Sequence, residues 1–329
     1  MTAIDVHNHI VPADFPAPPG SGTVERWPCM QEKGGGKAAI VIAGKEFRAL
    51  DERSWDPARR VADMDAEGTD IQVLSPMPEL LSYWLTPQQT LAMVRHVNAT
   101  IAAMIAAAPR RFAGLGMVPL QDPELAAKEL SALKRSDGLL GVEIGSNING
   151  RVPGDPFFEP FFAEAERLDL AVFVHALHPV GTDRLVGPSR LVPFVTFPID
   201  TGLAAASMIT GGTLAKFPRL RLAFSHGGGI LGAILPRLAH GWRIDGALGE
   251  RFASPRETAR RFFYDNLVFD ARLLAYLIET FGATQIFLGS DYPYAGRQEN
   301  PRATLDALKL GAAEMEALAG GNARRFLGL

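Results

Sequence analysis

The amino-acid sequence predicts an α/β fold, a (β/α)8 TIM barrel with a flap inserted after the first strand. Three observations predict it. Eight short apolar runs alternate with longer helical runs, the pattern of repeated strand–helix units. Most runs are too apolar to keep a wet face, as expected of parallel strands covered on both sides. His7, His175, His226 and Asp291 stand at the ends of four such runs, and a barrel gathers its strand ends at one mouth. An open doubly wound sheet is the alternative with the same alternation.

The strand candidates are residues 4–7, 71–74, 112–118, 139–144, 170–175, 220–226, 266–269 and 286–290. Helix starts between them are marked by Asp56-Pro57, Thr86-Pro87 and Asp122-Pro123. Each pairs an N-cap residue with a proline at the first helical position. Gly68 is a natural stop for the first helix. With no linker to divide it, the 329-residue chain reads as one unit, a length that barrels reach as single domains.

Residues 11–54 break the pattern, being far longer than an ordinary βα connection. They hold Pro16, Pro18, Pro19 and Gly34–Gly36, then an apolar stretch at 38–43. A flap over the barrel mouth, built on a small hairpin, is expected, against the plainer alternative of a loose surface loop.

Composition narrows the function. Hydrophobic residues make up 47% and charged residues 21%, which suits a large core rather than disorder. The net charge is −3 with both signs scattered and no basic stripe, so neither nucleic acid nor an anionic membrane is expected as a partner. Asp5, His7 and His9 interrupt any signal-peptide pattern in the first ten residues. The most apolar helical stretch, residues 99–108, reads as too short to cross a bilayer. Cys29 is the only cysteine; it excludes a cysteine-based metal site, and a reducing cytoplasm is the expected location.

Side chains two apart share one face of a strand, so His7 and His9 project together and can grip one cation. Barrel register carries His175, His226 and Asp291 to the same mouth. Imidazoles and a carboxylate suit one borderline divalent ion, zinc first, then manganese or iron. Such a site keeps a position for water and lowers its pKa to about 7. His226 reads either as a further imidazole ligand or as a base beside that water. Asp291 counts as a ligand and, with His226, as a catalytic residue.

Other motifs are weaker. Gly227-Gly228-Gly229-Ile230-Leu231-Gly232 matches a dinucleotide fingerprint, but it follows the sixth run rather than the first. Gly34-Gly35-Gly36-Lys37 lacks the phosphate-loop spacing. His178 lies three residues past His175, within reach of a substrate. His96 and His240 fall in helical runs. Glu143 on the fourth strand invites the question of a second ion.

These residues carry a resemblance. The sequence resembles the amidohydrolase superfamily and, within it, the α-amino-β-carboxymuconate-ε-semialdehyde decarboxylase-like branch. The matching pieces are Asp5-Val6-His7-Asn8-His9, Gly44-Lys45-Glu46-Phe47-Arg48, Trp55-Asp56-Pro57, Met64-Asp65 and Val118-Pro119-Leu120-Gln121-Asp122. They continue with Phe224-Ser225-His226-Gly227-Gly228-Gly229 and Leu288-Gly289-Ser290-Asp291-Tyr292-Pro293. The resemblance implies one metal, usually zinc, on His7, His9, His175 and Asp291, with His226 as acid/base rather than ligand. It implies that Arg48 holds a substrate carboxylate and that Arg237 reaches in from the partner of a homodimer. Its implied activity is non-oxidative decarboxylation of a small carboxylated aromatic or muconate-semialdehyde-type acid. A metal-dependent hydrolase of an amide, lactone or C–C bond is the alternative on the same barrel, and a non-catalytic binding barrel a third.

The chain departs from the branch in places. The fifth strand is followed by His175-Ala176-Leu177-His178-Pro179 instead of His-Pro. A tryptophan usual in the next loop is absent, with Phe194 and Phe197 nearby, and Tyr294 stands for a phenylalanine. These changes touch substrate identity, not the metal.

Overall fold

The computed structural model describes residues 2–20, 24–251 and 253–329. The chain enters on β1 (Ile4–Ile10), which is wholly buried. It then builds a separate sheet from β2 (Cys29–Gly34), β3 (Lys37–Ile42) and β4 (Lys45–Asp51). The remaining strands are β5 (Ile71–Pro76), β6 (Phe112–Gly116), β7 (Gly141–Gly145), β8 (Ala171–His175), β9 (Arg221–Phe224), β10 (Phe263–Asp265) and β11 (Ile286–Tyr292). They close with β1 into one barrel in the order β1-β11-β10-β9-β8-β7-β6-β5. Every pairing in it is parallel.

The main outer helices are α1 (Pro57–Glu67), α2 (Pro87–Ala107), α3 (Pro123–Ala132), α4 (Glu159–Arg167) and α5 (Val192–Thr210). After the short α6 (Thr213–Lys216) comes α7 (Leu231–Ile244). The caps are chemical. Asp56 accepts from the amides of Ala58 and Arg59, Thr86 forms a capping box with Gln89, and Asp122 accepts from Leu125.

Two layers hold the barrel. Inside it, Ile4, Val6, Val73, Leu115, Phe173 and Phe287 pack together, and Phe326 and Leu327 plug the end away from the mouth. Between strands and helices lies the larger core, with Met93, Val97, Ile101 and Leu130 among its members. The apolar stretch at 99–108 is the second half of the 21-residue α2. By length and composition alone, Pro87–Ala107 and Ser189–Thr210 could cross a bilayer; here both pack one face on the barrel.

Two expectations are corrected. The seventh strand is Phe263–Asp265, not residues 266–269. Asn266 already turns away, with its Nδ2 donating to Pro301 and its Oδ1 accepting from Gly289. The flap holds three antiparallel strands rather than one hairpin. It is not a loose loop: Ala38, Ala39, Ile40 and Leu50 are buried, and the Val11 amide donates to Ser54 at 3.1 Å, tying its two ends together. Gly34–Gly36 form a turn of that sheet, not a phosphate cradle.

Candidate metal centre and active site

The mouth is defined where strands β1, β8, β10 and β11 end. Register irregularities between Asp5 and Asn8 shift the phase of β1, so Ile4 and Val6 fill the barrel interior while His7 and His9 turn toward the mouth. One ligand atom from each of His7, His9, His175 and Asp291 lies within 4.8 Å of the others. Asp291 Oδ1 is 3.5 Å from His7 Nε2 and 3.2 Å from His9 Nε2. The His175 ring sits 4.9 Å from His7 and 4.8 Å from His9, centroid to centroid.

The other ring nitrogens are spoken for. His7 Nδ1 is 2.6 Å from Asp265, His9 Nδ1 is 3.0 Å from the Pro76 carbonyl, and His175 Nδ1 is 2.8 Å from the Ala176 carbonyl. Bonds of this kind fix the tautomer and aim the opposite nitrogen. All three Nε2 atoms are buried and have no hydrogen-bond partner. Buried polar atoms normally find partners, and three imidazoles plus a carboxylate aimed at one point fit a divalent metal ion.

Electrostatics agree. Burial opposes a positive charge on His7, yet Asp265 and Asp291 outweigh it and push its pKa up to about 10. The spot therefore favours a cation. Burial also opposes ionisation of Asp291, but His7 and His9 outweigh it and hold the carboxyl well below the usual range. Burial keeps His9 and His175 low, hence neutral and free to coordinate.

His226 lies beside this set but is not one of the four residues whose ligand atoms converge. Its ring is 5.2 Å from both His7 and His175, and its Nδ1 is 3.0 Å from the Ser225 hydroxyl. Burial, then His7, pushes its pKa down to about 4. At neutral pH it is an uncharged imidazole beside the cation site, able to take or give a proton. It holds a left-handed backbone at φ 55, a strain of the kind found at functional positions. A close approach follows it: a Cβ on Gly229 would lie 1.9 Å from the Pro198 carbonyl oxygen, so only glycine lets α5 pack there. The triplet 227–229 is a packing device, not a dinucleotide loop.

The Amidohydrolase family profile matches residues 4–329. The chain belongs to the amidohydrolase family.

Within the family it falls in the decarboxylase branch. The 2-amino-3-carboxymuconate-6-semialdehyde decarboxylase of Dictyostelium discoideum is 37% identical over 330 residues, covering 99% of this chain and 91% of that one. The crystal structure of 5-carboxyvanillate decarboxylase from Sphingomonas paucimobilis superposes with a TM-score of 0.76 at 28% identity, over 84% of this chain and 85% of that one. The same enzyme from Novosphingobium aromaticivorans, solved with manganese and 4-hydroxy-3-methoxy-5-nitrobenzoic acid, gives 0.74 at 25% identity, over 84% of this chain and 82% of that one.

In this amidohydrolase a second wall faces the cation site. Tyr294 stacks on His9 at 5.2 Å. The Arg48 guanidinium, delivered by flap strand β4, lies 4.2 Å over the Tyr294 ring. Phe197 closes the side toward His175 and His226, at 6.1 and 6.0 Å. His178 is exposed at the rim, its ring 5.3 Å from Trp84. Glu143 is fully buried: its Oε2 accepts from Ser75 at 2.7 Å and lies 3.6 Å from His9 Nδ1, and burial pushes its pKa up to about 8.

Arg237 is not at this mouth. It is exposed on α7 and lines a surface cavity of about 450 Å³ with Ile209, Ile234, Leu238 and Trp242. His96 ties α2 to the start of the flap through the Asp14 carbonyl at 2.9 Å. His240 is an exposed helix residue beside Arg243.

Two residues escaped the sequence reading. Asp265, at the end of β10, accepts from His7 and from the backbone amides of His226 and Gly227. A Cβ at Gly289 would come within 2.8 Å of Cβ atoms of both Asp265 and His7, so a glycine there makes room for their bond. The available signal was Phe262-Phe263-Tyr264-Asp265, an apolar run ending in a carboxylate. Arg60 is completely buried and donates to the Asn8 side chain at 2.7 Å and the His9 carbonyl at 2.8 Å. It pins the backbone between the two histidines of β1, and nothing in its helical context announced that.

Proposed function

We propose that this amidohydrolase removes carbon dioxide, without oxidation, from a small carboxylated aromatic or muconate-semialdehyde-type acid. The observation that carries the reading is the juxtaposition of an orphaned three-imidazole, one-carboxylate cluster with an arginine delivered over Tyr294. The relatives are named as decarboxylases of such acids, which favours this chemistry over hydrolysis.

His7, His9, His175 and Asp291 would hold the ion, zinc by donor type, with manganese or iron as substitutes. When bound, it supplies a fixed positive charge that stabilises negative charge developing on the substrate. Arg48 grips a substrate carboxylate with its planar fork. As the C–C bond to that or a second carboxylate breaks, its electron pair stays on the ring or alkene carbon. A proton must then replace the lost group. His226, neutral at rest, would first take up a proton at Nε2 from water in the mouth and then hand it to that carbon, while its Nδ1 stays against the Ser225 hydroxyl. Phe197 and Tyr294 exclude water around the reacting carbon, and His178 contacts substrate at the rim.

A homodimer is part of the proposal. Helix α5 shows water an apolar stripe of Phe194, Val195, Ile199 and Leu203, a surface a second copy could cover. The other end of α5, at Ile209 and Thr210, lines the α7 cavity that holds Arg237; that the partner's Arg237 then reaches the mouth rests on the family resemblance. The exposed thiol of Cys29 is compatible with a reducing cytoplasm.

The test is product mass. The metal-loaded protein should convert a member of a panel of carboxylated phenols and muconate semialdehydes to a product lighter by one carbon dioxide. A product heavier by one water instead would restore the hydrolase.

A further inference from the structure

The wall opposite His226 contains a carboxylate that the proposed reaction does not use. Glu79 sits in the turn Pro78–Leu81 after β5. It is 8% exposed, and its Oε2 is buried with no hydrogen-bond partner. The turn is held firmly: the Leu80 amide donates to Met77 at 2.8 Å, and Tyr83 just beyond accepts from the Gly145 amide at 3.2 Å, fastening the segment to β7.

Glu79 also lies within electrostatic reach of the mouth residues. Its turn follows the end of barrel strand β5, on the side where the strands open into the mouth, and its charge is among those felt by Arg48, Tyr294, His178 and Glu143. No ion pair joins it to Arg48, so the two charges do not neutralise each other directly. A buried acceptor without a partner is costly to maintain. A partner that the protein does not provide comes from water or from the ligand that displaces it, and a carboxylate can only be matched by a donor.

We propose that Glu79 is a specificity-determining residue: it accepts a hydrogen bond from a hydroxyl or amino group that the substrate carries beside the carboxylate held by Arg48. This rests on the carboxylate-substrate reading above. A site built around a donor discriminates strongly against the analogue that lacks it, because its buried acceptor is then left unpaired. The substrate class narrows to amino- or hydroxy-substituted acids.

Equilibrium titration of the metal-loaded protein tests this, with benzoate, 2-aminobenzoate, 2-hydroxybenzoate and 3-hydroxybenzoate as probes. Wild type should bind at least one donor-bearing probe about tenfold more tightly than benzoate, the scale of one charge-assisted hydrogen bond. Glu79→Leu should bring that ratio within about twofold. It should bind benzoate no more weakly than wild type, since an anion near Arg48 is gone. Glu79→Gln, which keeps an acceptor oxygen and the side-chain shape, should retain part of the preference. An unchanged ratio in Glu79→Leu overturns the proposal, as does loss of every probe alike, which would make Glu79 structural. Arg48→Ala separates the two readings. If benzoate binding depends on Arg48 while the ratio ignores Glu79, only the Glu79 assignment falls; if wild type binds no carboxylate probe, both fall.

Discussion

The mouth of the barrel has two walls built on different principles. On the wall formed by β1, β8, β10 and β11, each of the three clustered imidazoles has its Nδ1 held by a carboxylate or carbonyl and its Nε2 aimed inward without a partner. That wall is a rigid cradle, because its rings cannot turn without breaking a buried bond. On the wall formed by the flap and the turn after β5, contacts run through rings and charge: Arg48 over Tyr294, His178 against Trp84, and Glu79 with no hydrogen bond to its Oε2. In the proposed reaction one wall sets the chemistry and the other chooses what undergoes it.

Breaking the first wall should have the largest effect. His175→Ala removes a ligand whose neighbours cannot shift to replace it. Elemental analysis should give about one divalent ion per wild-type chain and almost none in the variant, with turnover abolished. His226→Ala should keep the ion yet lose roughly two to four orders of magnitude in kcat. Loss of the ion in that variant would make His226 a ligand and redraw the wall.

Asp265→Asn probes the support behind the ligands. It weakens the bond that orients His7, and metal affinity should fall about 10- to 100-fold by competition with a chelator. Unchanged affinity would remove Asp265 from the cradle.

The second wall is sharpened by subunit exchange. Arg48→Ala and Arg237→Ala should each lose substrate carboxylate binding. If Arg237 acts across a two-fold interface, mixing the inactive variants makes some dimers with one whole site and one lacking both arginines. Activity should return to about a quarter of wild type. Verified exchange with no recovery would confine Arg237 to its own surface.

The walls also differ in how far the sequence reveals them. His175 closes an apolar run and Asp291 follows one, so strand register alone carries both to the mouth. Asp265 obeys the same rule but was hidden, because Leu267-Val268-Phe269 is the more apolar run and drew the strand past it. Strand β4, which carries Arg48, is exposed along most of its length, so it shows no alternation. The hairpin expectation therefore stopped one strand short. Glu79 lies in a 3-10 turn where neither the strand nor the helix period marks a buried residue. Only the course of the chain after β5 brings it to the mouth. Arg237 is read as a site residue only through the family resemblance; within one chain it faces solvent away from the mouth, and its role there belongs to the proposed dimer.

Reconstitution tests the central claim most directly. The protein is stripped of metal with a chelator, divalent ion is added back in measured steps, and carbon dioxide release from a converted substrate is followed at each step. The account predicts activity near zero in the stripped protein and a linear rise that breaks at about one ion per chain. Full decarboxylation by the stripped protein, or a break at two ions, would contradict it.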